Sequence, residues 1–111
     1  MSTRICKQAD INIAASGDNT VVLAVSARPI LVWQIWMVNA GTVISLKFGN
    51  GDATQSPTFF NAVAFPLSGN GGSLTFQQTD QPWWTTTVGK GFSINLSGAQ
   101  QITGRIYYTE G

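Results

Sequence analysis

The chain offers little to work with as a catalyst. Its acids are Asp10, Asp18, Asp52, Asp80 and Glu110, its one thiol is Cys6, and it has no histidine. A Ser-His-Asp or Cys-His site is therefore excluded, and a zinc site would lack its usual ligands. Two carboxylates brought together could hydrolyse a glycosidic bond. These acids, however, lie far apart in sequence and mostly beside turn formers such as Gly17, Gly51 and Pro82, which suits turns and solubility better. Gly69 to Gly72 lacks a following helix to aim N–H groups at a phosphate, so it reads as a loop. Asn95-Leu96-Ser97 fits the N-glycosylation pattern, but no secretory h-region precedes it in MSTRICKQAD. One cysteine allows no intrachain disulfide, and Cys6 is expected to be a small apolar residue. No enzyme activity, cofactor or metal is expected.

The elements that would carry these residues are strands. Ile44, Leu46 and Phe48 alternate with Val43, Ser45 and Lys47; Phe92, Ile94 and Leu96 alternate with Ser93, Asn95 and Ser97; Ile102, Ile106 and Tyr108 recur along the last segment. Further runs are Ile11 to Ile13, Thr20 to Val25, Phe59 to Phe65 and Leu74 to Phe76. No stretch shows the i, i+3, i+4, i+7 spacing of an amphipathic helix. With turn signals such as Ser16 to Asn19 and Gly49 to Asp52 between the runs, the chain is expected to be all-β: an antiparallel β-sandwich of jelly-roll type with about eight strands and negligible helix. Residues 1–13 are expected to form an N-terminal strand or arm, and residues 14–111 a single domain.

Charged residues make up only 10% of the chain, and Arg4, Lys7, Arg28, Lys47, Lys90 and Arg105 are scattered. Nucleic-acid binding, which needs clustered cations, is not expected. The longest apolar run is too short to span a membrane. That run, Pro29 to Asn39, is unusual because both its faces are apolar. Simple alternation puts Leu31, Trp33, Ile35 and Met37 on one face and Ile30, Val32, Gln34, Trp36 and Val38 on the other. Gln34 breaks the second face, which is therefore assigned to a partner subunit and the first to the interior. Trp83 and Trp84 are a ligand platform in a competing reading, a carbohydrate- or receptor-binding β-sandwich module.

The segment Trp83-Trp84-Thr85-Thr86-Thr87-Val88-Gly89-Lys90-Gly91-Phe92-Ser93-Ile94-Asn95-Leu96-Ser97 resembles small tailed-bacteriophage virion proteins. These carry an aromatic pair, a glycine turn and a strand ending in Asn-Leu-Ser. Ala24 to Ala27, Asn39 to Val43 and Gly104 to Glu110 follow the same order, so the resemblance covers roughly residues 20–110. It implies a jelly-roll capsid decoration, or cement, protein that forms homotrimers on the outer surface of a phage head. The implied partners are other copies of the chain and the major capsid protein, with the virion as its location after synthesis in the host cytoplasm. In that setting Arg4, Ile5 and Lys7 would belong to an arm that touches the capsid.

Overall fold

The computed structural model describes residues 6–61 and 63–111. Arg4 and Ile5 lie outside the described residues.

The protein is an all-β sandwich of two antiparallel sheets. In chain order the strands are β1 (Lys7–Ile13), β2 (Gly17–Val22), β3 (Leu31–Asn39), β4 (Ile44–Asn50), β5 (Thr58–Phe59), β6 (Phe65–Leu67), β7 (Gly72–Phe76), β8 (Trp84–Thr85), β9 (Phe92–Leu96) and β10 (Ile102–Thr109). The first sheet has the order β1-β10-β3-β7, with β8 also paired to β3; the second has the order β2-β9-β4-β5, with β6 also paired to β4. The number exceeds eight because short pieces flank the long strands: Pro57 borders β5, and Pro66 sits in β6, where a missing N–H is tolerated only at a sheet edge. One 3₁₀ turn, Ala53–Gln55, is the helical element among the described residues.

The core forms where the alternating apolar residues of the two sheets meet. Ile11, Ile35, Met37, Ile102 and Ile106 come from the first sheet and Leu46, Phe48, Ile94 and Leu96 from the second, all at most 2% exposed. β10 and β3 approach closely at Gly104, where a Cβ would run into the Trp36 carbonyl. Glycine is therefore required there by space.

Two local features depart from simple alternation. β2 begins inside the expected Ser16 to Asn19 turn, because Gly17 takes φ 86° and Asn19 Nδ2 donates to the Ala15 and Gly17 carbonyls, closing the turn earlier. Ser93, expected on a wet face, is fully buried, with its hydroxyl against Gly49 of β4. The loop after β4 brings Pro57 against the same glycine.

That loop is anchored by Asp52, which is 4% exposed. It caps the 3₁₀ turn through Thr54 N (3.0 Å) and Thr54 Oγ1 (2.6 Å), and it accepts from Ala24 N (3.1 Å). Gln55 Oε1 completes the capping box on Asp52 N and also accepts from Gly91 N, tying the loop to the start of β9. The Thr54 hydroxyl, with the backbone donors, holds the Asp52 carboxyl below its ordinary value. A depressed carboxylate contributes stability that is whole above the ordinary value near pH 4 and is lost as pH falls through the lower folded value. Asp52→Ala is expected to cost about 2 kcal/mol at pH 7. Urea unfolding at pH 7 and pH 3 checks this: the gap from the native chain should be constant above pH 5 and narrow in acid.

Candidate interaction surface

β3 does not alternate along its whole length. Its pairing with β10 runs Gln34 to Tyr107 and then Val32 to Tyr108, so Trp33 is an extra residue on β3, a β-bulge. The bulge inverts the faces below it. Ile30 and Val32, which alternation placed on the partner face, are fully buried in the core, as are Ile35 and Met37 on the far side of the bulge. Of the five residues assigned to a subunit contact, Gln34, Trp36 and Val38 remain outward and Ile30 and Val32 do not. Trp33 is 7% exposed, with its indole Nε1 donating to Thr109 Oγ1 at 2.9 Å, whereas Trp36 is 39% exposed.

Register builds a surface around Trp36. One row across the first sheet reads Asp10, Arg105, Trp36, Thr75; the next reads Asn12, Thr103, Val38, Ser73; on the other side Gln8, Tyr107 and Gln34 line up. Arg105 Nε donates to Asp10 Oδ1 at 3.1 Å and Nη1 to Gln8 Oε1 at 3.3 Å. The hydrogen bond to Asp10, supported by Tyr107, raises the guanidinium pKa above its ordinary value. Both partners of this ion pair are well exposed, so it orients Arg105 rather than holding the fold together. The result is a four-strand face with an indole at its centre and an oriented guanidinium and a phenol beside it. Trp, Tyr and Arg are the residue types that dominate protein–protein hot spots.

The two tryptophans of the expected ligand platform part company. Trp83 lies in a bend just before β8, and Trp84 is the first residue of β8. Trp84 turns inward and lies between Phe48 and Phe60, with ring centroids 5.3 Å from each, so its faces are taken and it offers no platform. Trp83 is 40% exposed, packs on Phe76 at 5.0 Å and donates from Nε1 to the Gln77 carbonyl at 2.7 Å. Lys7 begins β1 opposite Tyr108, and its Nζ meets Glu110 Oε2 at 2.9 Å, so it sits in a paired strand rather than in an arm.

The acids serve separate tasks: Asp10 on Arg105, Asp18 on the Asn95 amide, Asp52 in its cap and Glu110 on Lys7, with Asp80 exposed in a bend. Among the described residues no three Asp, Glu or Cys side chains gather where they could hold a metal ion. No helix of the described residues is long and apolar enough to cross a membrane.

No protein-family model matches the chain, and no curated protein matches it. A solved structure described as the crystal structure of PirA is similar over 98% of this chain and 97% of that one, with 16% identity and a TM-score of 0.48. Likeness at that level leaves function to be argued from the residues.

Proposed function

We propose that the chain is a structural virion protein: a capsid decoration protein that forms homotrimers and cements the outer surface of a phage head. One observation carries this reading. Trp36 stands 39% exposed in the middle of the first sheet, between Arg105 and Thr75, where a large indole gains far more by meeting protein than by meeting water. The resemblance over residues 20–110 supplies the virion setting, with the major capsid protein as the second partner. The same proposal takes the sandwich as a jelly roll, because the orders β1-β10-β3-β7 and β2-β9-β4-β5 interleave strands distant in the chain as two Greek keys do.

The mechanism is mechanical. A decoration protein laid across the seam between capsid subunits raises the free energy of separating them through buried area, and three linked copies reinforce one another. A three-fold ring needs heterologous contacts that close, in which one patch of each copy meets a different patch of the next. Low charge supports the reading, since a chain with 10% charged residues repels its neighbours little on a crowded lattice.

Light-scattering mass of the native chain tests the assembly. The expected result is three times the 11.9 kDa chain mass from micromolar concentration upward. A single-chain mass at every concentration overturns it.

A further inference from the structure

A second feature lies on the outward face of the other sheet. A cleft of about 240 Å³ is lined by Ser45, Leu46 and Lys47 of β4, Asn95 of β9, Ser97, Phe59 of β5 and Ala64. Register makes it: Lys47 stands directly opposite Asn95, and Asn95 opposite Asp18.

The polar groups of the cleft are only partly engaged with one another. Asn95 Nδ2 donates to Asp18 Oδ1 at 2.9 Å, which fixes the amide and leaves its carbonyl oxygen as an acceptor. Ser97 Oγ accepts from Ser45 N at 2.9 Å, so its hydroxyl proton is available to donate. Lys47 Nζ lies over the Phe59 ring, 5.2 Å from its centroid. Among the described residues the ion pairs are Lys7 with Glu110 and Arg105 with Asp10, so Lys47 is positioned by an aromatic face and keeps its charge for something else. Asp18 stands two strands from Lys47, about 10 Å, and its Oδ1 accepts from the Asn95 amide.

We propose that this cleft binds a carboxylate-bearing monosaccharide unit. Its carboxylate meets Lys47 Nζ, its hydroxyls exchange hydrogen bonds with Ser45, Ser97 and the Asn95 carbonyl, and its apolar edge rests on Phe59 and Ala64. The volume is below the roughly 300–1,000 Å³ of sites that engulf drug-sized ligands, which suits one ring. A compact phosphate would leave the apolar edge of Phe59 and Ala64 unused. A wholly apolar ligand would bury the ammonium and both hydroxyls without partners, which is costly. The cleft is separate from the Trp36 face, so this inference does not depend on the trimer.

The experiment is an NMR titration of the ¹⁵N-labelled full chain with sodium glucuronate, with glucose, acetate and inorganic phosphate as parallel arms. The expected result is a saturable shift, with a Kd of about 1 mM, confined to backbone amides around Ser45, Lys47, Asn95 and Ser97. Glucose, acetate and phosphate should each bind at least about tenfold more weakly, and Lys47→Met should weaken glucuronate about tenfold, the effect of one charge-assisted hydrogen bond. An unchanged assembly mass for Lys47→Met separates this outcome from the subunit contact. Lack of saturation, shifts centred on Trp83 or Trp36, an equal response to glucose or phosphate, or a Lys47→Met titration matching the native one would each overturn the proposal.

Discussion

Replacing Phe48 by alanine is expected to lower stability by about 3–5 kcal/mol and the melting temperature by roughly 12–20 °C. Phe48 is fully buried on β4 and joins the two sheets. Its ring lies 5.9 Å from Phe92 and 5.9 Å from Phe65 in its own sheet, and 5.8 Å from Phe76 and 5.3 Å from Trp84 of the other. Truncation removes the transfer free energy of a phenyl ring and leaves a void among rigid rings on four other strands, which cannot collapse to fill it. Each ring pair carries geometry-dependent attraction beyond its area, so several such terms go together. The measurement is urea and thermal unfolding of both chains at one protein concentration, because the proposed assembly would make apparent stability concentration-dependent. A loss under about 1 kcal/mol would mean that the cluster is loosely packed.

The fold class was legible because its strands are one-sided. Ile44, Leu46 and Phe48 against Ser45 and Lys47 leave a single way to face a core, and all three apolar residues are buried. Pro29 to Asn39 gave no such guide: with both faces apolar, either parity satisfies the pattern, so a one-residue bulge at Trp33 leaves no trace in composition. The assignment of Ile30 and Val32 failed for that reason alone. Adjacent tryptophans pose a similar problem: Trp83 sits in a bend and Trp84 opens β8, and nothing in the pair itself says which ring is enclosed. Asp52 was readable in principle. Asp-x-x-Gln is a capping-box spacing, but beside Gly51 it passes for an ordinary turn former. Lys47, Phe59, Asn95 and Ser97 come from segments up to 50 residues apart in the chain and converge only through strand register, so no local pattern announces the cleft.

Trp36→Lys is expected to convert the proposed trimer into folded single chains. Trp36 pairs with Arg105 on one side and Thr75 on the other, so its side chain stands clear of the core and a lysine there can reach water without disturbing the sheet. An exposed strand position also tolerates a polar side chain at little cost to folding. In an assembled ring, by contrast, the new ammonium would be buried beside the Arg105 guanidinium, and a like charge desolvated in a contact costs several kcal/mol. The loss of the indole itself, about 2 kcal/mol or more at a hot spot, adds to that cost, so the contact should be lost outright rather than weakened. Loss of folding is distinguishable from loss of assembly, because circular dichroism and the unfolding midpoint of the separated chains report the sandwich itself. The deciding measurement is light-scattering mass of Trp36→Lys beside the native chain, each at the same micromolar concentration and 0.15 M salt. The expected result is three times 11.9 kDa for the native chain and 11.9 kDa for the folded variant; a variant that keeps the native mass would contradict the assignment of the Trp36 face as the subunit contact.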